Sequence, residues 1–143
     1  MNCDTIIQTP AQPSSRAGTM RKAGTGLTGL MVLFLAFDGI TKVIRVAPVM
    51  DACQKMGIGP DMAAAIGLLL LACTVIYVVP RTALFGAVLL TGFLGGAAAT
   101  HIVHGSGAFP AGFAVGCGVL VWTGLVLREP CLLRWMFRRG NTH

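Results

Sequence analysis

Four long apolar runs, at about residues 26–44, 62–79, 82–102 and 109–127, constrain this chain more than any other feature. Each holds roughly 18–21 residues, and about 20 helical residues cross a hydrocarbon core about 30 Å thick. Strands of that length would be too long, and the runs show no alternation of apolar and polar residues. Inside lipid a backbone must satisfy its own hydrogen bonds, which leaves helices. The composition agrees. Only 11% of the 143 residues are charged, and apolar residues make up 55%. Mean hydropathy is +0.76. Such values exclude an ordinary water-soluble globule and, for most of the chain, disorder. The expected fold is all-α: a transmembrane four-helix bundle.

Basic residues orient the bundle. The net charge is +6. The cations flank apolar runs rather than clustering on one surface, so the pattern reads as membrane topology and not as a nucleic-acid patch. With four spans, both termini and the second loop share a side. Arg16, Arg21, Lys22, Arg81, Arg128, Arg134, Arg138 and Arg139 fall there. Lys42, Arg45 and Lys55 fall on the other side, near Asp51 and Asp61. Eight cations against three place both termini in the cytoplasm, with the chain in the inner (cytoplasmic) membrane.

The chain divides into a tail, a membrane domain and a second tail. Residues 1–24 are polar, without apolar period, and read as a disordered tail. Met20, ahead of Arg21 and Lys22, is an alternative start. The stretch also mimics a signal peptide, but the apolar run continues through Ile40 and Ile44 without an Ala-x-Ala site, so cleavage is not expected. Residues 25–128 form the membrane domain. The loop at residues 45–61 is read as a polar connection broken by Pro48, Gly57, Gly59 and Pro60. Pro80 and Arg81 alone join the second and third spans, which must be antiparallel neighbours. Residues 129–143 form a basic cytoplasmic tail in which Trp135 and Phe137 suit an interfacial anchor, a tail lying loosely on the headgroups being the alternative.

Small residues suggest packing seams. Gly92 and Gly96 form a Gly-x-x-x-Gly pair, joined by Gly95, and Gly112 and Gly116 repeat it in the last span. Lipid offers no hydrophobic drive for association, so small faces that approach closely supply the contact energy. The stripes read as seams within the bundle, with a homodimer face as the alternative. Cys73 and Cys117 read as small packing residues, and no cysteine pair has Cys-x-x-Cys spacing. Cys53 is expected to be open to an impermeant reagent from outside, and Cys131 is not. Thr74, Thr91 and Thr123 are expected to bond their own helix carbonyls. Tyr77 and Trp122 resemble belt aromatics near span ends.

The remaining polar residues carry the functional reading. Asp38, Lys42 and Arg45 share one helical face at i, i+4 and i+7. Asp38 lies ~18 Å and Lys42 ~24 Å along the first span, and His101 ~28 Å along the third. An intramembrane charge costs roughly 2.5–3.5 kcal/mol and rarely faces lipid. The two spans run the same way, so Asp38, Lys42, Arg45, Thr100, His101 and His104 reach one outer half. They are expected to line a water-accessible pocket. Its readings stay open: an Asp38–Lys42 pair that fixes register, or a binding or proton-exchange site for a small polar molecule or quinone head group. A metal on His101 and His104 has no evident third ligand. Covalent catalysis has no nucleophile beside a base, so no catalytic residue is assigned. Nothing resembles a phosphate loop, a hydrolase elbow or a heme-attachment motif.

The string Pro80-Arg81-Thr82-Ala83-Leu84-Phe85-Gly86-Ala87, then Leu89-Leu90-Thr91-Gly92-Phe93-Leu94-Gly95-Gly96-Ala97-Ala98-Ala99-Thr100-His101, resembles the DoxX-like family of small four-helix membrane proteins. Phe37-Asp38-Gly39-Ile40-Thr41-Lys42 resembles its first-helix pattern, and Met56-Gly57-Ile58 the turn before its second helix. The resemblance covers about residues 27–130. It implies an integral protein of the cytoplasmic membrane. It also implies an association with quinone-linked or thiol-stress redox systems, or a role in assembling other membrane proteins. The chain departs from redox centres in lacking paired cysteines and a heme-spaced histidine pair. The resulting expectation is an accessory subunit or small-ligand binder, quinone being the cofactor candidate and a membrane redox complex the partner. A ligand-free scaffold and a proton-coupled transporter acting as a dimer are the rivals.

Overall fold

A computed structural model of the chain describes residues 15–128. Among these, five helices and no strands occur: α1 Ser15–Val43, α2 Ala47–Lys55, α3 Pro60–Val78, α4 Ala83–Val103 and α5 Ala108–Arg128. Four of them are long and apolar enough to cross a membrane. Helices α3, α4 and α5 begin and end within two residues of the apolar runs. The basic tail with Cys131, Trp135 and Phe137, and the first 14 residues with Cys3, lie outside the described part.

Two expectations are corrected. Helix α1 starts at Ser15, so residues 15–24 are helical where a disordered tail was expected. Polarity alone does not stop a helix, and no proline intervenes between Pro13 and Pro48. At 29 residues α1 is ~43 Å long, more than the hydrocarbon core, which leaves Arg21 and Lys22 beyond its apolar part. The first connection is not all loop either. It contains α2, with Pro48 in the first helical turn, where a missing N–H costs nothing. Met50 and Cys53, one turn apart, bury against Ala63 of α3.

The four long helices form a ring in the order α1, α3, α4, α5. Most of each helix faces outward: between 28% and 33% of each apolar window is buried. Leu33, Leu68, Val75 and Phe85 are among the large side chains left open. A chain with so little enclosed apolar surface is complete only when lipid covers its perimeter. The main core holds Leu35, Leu70, Tyr77, Leu90, Val121 and Leu125, all nearly inaccessible. Tyr77 is therefore a core residue and not a belt aromatic. Its hydroxyl donates to the Val121 carbonyl at 2.8 Å, which satisfies the polar tip. Trp122 is half-buried against that core, and its Nε1 donates to Thr91 Oγ1 at 2.8 Å.

The glycine seams are also not those expected. A Cβ on Gly92, Gly95, Gly96, Gly112 or Gly116 would meet nothing within 4 Å, so these stripes face open space and seal no contact within the bundle. A small-xxx-small spacing states that a face is smooth; it does not state which way the face points. The close approaches lie elsewhere. A Cβ on Gly86 would sit 2.4 Å from Tyr77 N and Cα, one on Gly24 2.6 Å from Arg128 N, and one on Gly124 2.8 Å from Thr28 Oγ1. These three contacts close one end of the bundle. Toward the other end, α1 and α3 meet backbone to backbone, a Cβ on Gly67 falling 2.7 Å from Gly39 O. There α4 and α5 meet through Ala98, Ala111 and Ala114.

Substitution should separate the two glycine classes. Gly86→Val is expected to cost about 3 kcal/mol or more, because backbone cannot move aside as a flexible side chain can. Gly116→Ala should stay within about 0.5 kcal/mol of the wild type. Thermal unfolding of both proteins in one detergent checks the contrast.

Candidate functional site

Three helices at the second end stop in the same way. Ile58 N bonds Cys53 O and Gly57 N bonds Gln54 O; Ser106 N bonds His101 O and Gly105 N bonds Ile102 O. These paired bonds are the Schellman ending, with Gly57 and Gly105 at φ +70° and +63°. Helix α1 repeats it through Val46 N to Thr41 O and Arg45 N to Lys42 O, but with Arg45 in the left-handed region at φ 58°. That conformation strains a residue with a Cβ by roughly 1–2 kcal/mol. It turns Arg45 outward, where its Nη2 pairs with Asp61 Oδ1 at 2.5 Å. Arg45 thus bridges the ends of α1 and α3 in the open and does not join the predicted pocket.

Inside this end lies a cavity of about 780 Å³, within the range usual for small-molecule sites. Asp38, Lys42, Thr100 and His101 line it together, so α1 and α4 deliver their polar residues to one space although they stand diagonally in the ring. Leu70, Phe34, Phe93, Phe113 and Cys117 supply apolar wall, α2 adds Val49 and Cys53, and Met56 at its C-terminal cap joins them. Helix α2, packed on α3 and α1, thus supplies wall at the end that the sequence left as an aqueous mouth. Cys53 is 5% exposed, not the open thiol expected, because its face of α2 packs onto α3.

The polar groups differ in how they are satisfied. Lys42 Nζ donates to Asp38 Oδ1 at 2.5 Å, one turn back along α1. The lysine stem packs beside Gly67, while the carboxylate keeps 38% of its side-chain surface open. Thr100 Oγ1 donates to Gly96 O at 2.9 Å and keeps its lone pairs. Thr74, Thr91 and Thr123 likewise bond carbonyls four residues back. His101 Nδ1 is shut off from solvent and has no hydrogen-bond partner. A buried unpaired ring nitrogen costs on the order of 1–3 kcal/mol, and nothing the size of a water molecule in the cavity reaches this one. His104 sits apart: it is exposed, with Nδ1 2.9 Å from Thr100 O, and it does not line the cavity. The imidazoles therefore do not converge, and among the described residues no group of three His, Cys, Asp or Glu is placed to hold a metal ion.

Sequence reasoning thus found four cavity residues, misplaced Arg45 and His104, and missed the aromatic wall. Phe34 packs edge-on to Phe113, ring centroids 5.5 Å apart, and Phe109 stacks on Phe113 at 6.4 Å. Phenylalanine in a membrane span carries no signal of which way it faces. A second groove of about 570 Å³ lies between α4 and α5 at Thr91, Gly95, Gly118 and Trp122. It presents no charged group and no unsatisfied one, and so it reads as lipid-facing surface.

The two ion pairs should respond differently. Arg45→Gly trades an exposed pair, commonly worth about 0–1 kcal/mol, for relief of a left-handed backbone strain of about 1 kcal/mol. It should leave thermal stability unchanged or slightly raised. Lys42→Met strands a carboxylate beside apolar walls and should cost on the order of 1 kcal/mol, restored in part by adding Asp38→Asn. Denaturant titrations of the purified variants check both signs.

Comparison with curated proteins and with solved structures gives no match. A model of the DoxX-like family matches residues 26–124, from the apolar start of α1 to the Gly124 contact in α5. That match covers the cavity and every helix that lines it. The chain is a multi-pass integral membrane protein and belongs to the DoxX-like family.

Proposed function

We propose that the protein binds a small amphipathic molecule in the α1–α4 cavity, a quinone head group being the leading candidate, and serves as an accessory component of a membrane redox system. The observation that carries this reading is the convergence of Asp38, Lys42, Thr100 and His101, from two helices, on one cavity of small-molecule size. In this reading His101 donates to a ligand carbonyl, Asp38 accepts a hydrogen bond or a proton, and Lys42 tunes the charge on Asp38. The phenylalanines pack the flat apolar part of the ligand. The setting proposed is the cytoplasmic membrane with both termini inside, as the distribution of basic residues favours.

Orientation has a direct test. Native Cys53 is too buried to report, so cysteines at exposed Gln54 and Arg81 are the useful probes. In intact cells Gln54→Cys should react with an impermeant maleimide, and Arg81→Cys should react only after lysis.

Ligand binding is tested with full-length protein in lipid nanodiscs and decylubiquinone as the probe. His101→Ala and Asp38→Asn, inserted normally, should each weaken binding about tenfold, the effect of one lost polar contact of about 1.4 kcal/mol. Unchanged binding in both variants would reject the site. Full rescue of a deletion phenotype by both would support a ligand-free scaffold.

A further inference from the structure

The inference rests on the ligand-binding reading above; it adds the route into the cavity and the shape of molecule admitted. At the level of the cavity most sides are closed. Helices α1 and α3 touch through Gly39 and Gly67, and α4 and α5 through Ala98, Ala111 and Ala114. Phe34 against Phe113 bars the α1–α5 side. Helix α2, packed on α1 and α3, lines the cavity toward the aqueous end.

The α3–α4 side differs. The close approach of these helices, Gly86 on Tyr77, is near the Pro80 turn at the far end. Toward the cavity the flank of α4 turned away from α5 carries Gly92, Phe93, Gly96 and Thr100, whereas Thr91 and Gly95 lie on the groove shared with α5. Gly92 and Gly96 line the cavity, yet both are exposed, and a Cβ on either would meet open space. Residues that belong to an inner wall and to the outer surface at once mark an opening. This one lies ~11–17 Å from the end of α4, at the depth of acyl chains and not of headgroups.

We propose that the cavity is loaded sideways from the bilayer, through a slot between α3 and α4 over Gly92 and Gly96. Its ligand is an amphiphile with one linear apolar chain. The compact hydrogen-bonding head rests at His101 and the Asp38–Lys42 pair, and the chain leaves through the slot among the lipid tails. The glycines keep the slot free of side chains, which explains an unpacked glycine stripe better than a seam does.

The test uses full-length protein in phospholipid nanodiscs with a palmitic acid that carries a mid-chain diazirine. After irradiation, peptide mass spectrometry should find adducts on accessible cavity residues such as Ile66, Phe93 and Ala97. Gly96→Leu should lower their yield on the order of tenfold, as loss of one fitted contact does. Gly116→Leu, equally open but outside the cavity lining, should leave the yield intact; Gly92→Leu replaces Gly96→Leu if the latter fails to insert. Excess decylubiquinone or excess oleic acid should deplete the adducts, and whichever does so identifies an isoprenoid quinone or a fatty acyl lipid as the source. Depletion by neither overturns the proposal. Undiminished adducts in both filled variants overturn sideways entry while the ligand site stands. Absence of cavity adducts in the wild type rejects lipid-chain occupancy, whatever the outcome of the decylubiquinone binding assay.

Discussion

Backbone contact at glycine decides the shape of this bundle. In lipid no solvent pushes helices together, so their separation is set by what stands between the backbones. Gly86 lets α4 rest on the backbone of Tyr77, and Gly24 and Gly124 let α1 and α5 do the same at that end. Farther along, α1 stays against α3 at Gly39 and Gly67, α4 against α5 at their alanines, and α1 against α5 through Phe34 on Phe113. The close approach of α3 and α4 lies only near the Pro80 turn, which leaves space on their side at the other end. The cavity follows from this uneven placement of small residues.

The same placement explains what polar chemistry the bundle tolerates. Asp38 and Lys42 lie on the helix that Gly39 draws against α3, with the lysine stem passing over Gly67. The tight contact holds the stem while its charge turns back along α1 to the carboxylate. Arg45, one turn on, is carried out of the cavity by a left-handed ending and pairs with Asp61 across the surface. Three charges that share one face in an ideal helix are thus divided between an interior pair and an exterior bridge.

Much of this was legible in the residues. The lengths of the apolar runs gave α3, α4 and α5 to within two residues, because length against bilayer thickness is a strong constraint. The meeting of Asp38, Lys42, Thr100 and His101 followed from depth along two co-directional spans. What failed depended on rotation about a helix axis. Periodicity cannot tell an inward glycine from an outward one when every face is apolar: Gly92 and Gly112 have the spacing of a seam, but Gly39, Gly67 and Gly86 make the close contacts. Tyr77 failed for a related reason: a span-end tyrosine normally meets headgroups, but here α4 and α5 close over it. Helix α2 is masked in the sequence by Pro48, which signals a break in a helix interior but at a first turn favours a helix.

The location of the ion pair weighs between the readings of the site. A pair that fixed register would have to join two helices, since only then does sliding one break it. Lys42 and Asp38 belong to the same helix, one turn apart, and their bond survives any displacement of α1 against its neighbours. Register is already held by Gly39 and Gly67. The bridge that does tie two elements is Arg45 to Asp61, and it stands in the open, where it costs little desolvation. Keeping two charges on a cavity wall is expensive for architecture alone. On the ligand-binding reading proposed above, a polar group carried by the ligand offsets that expense.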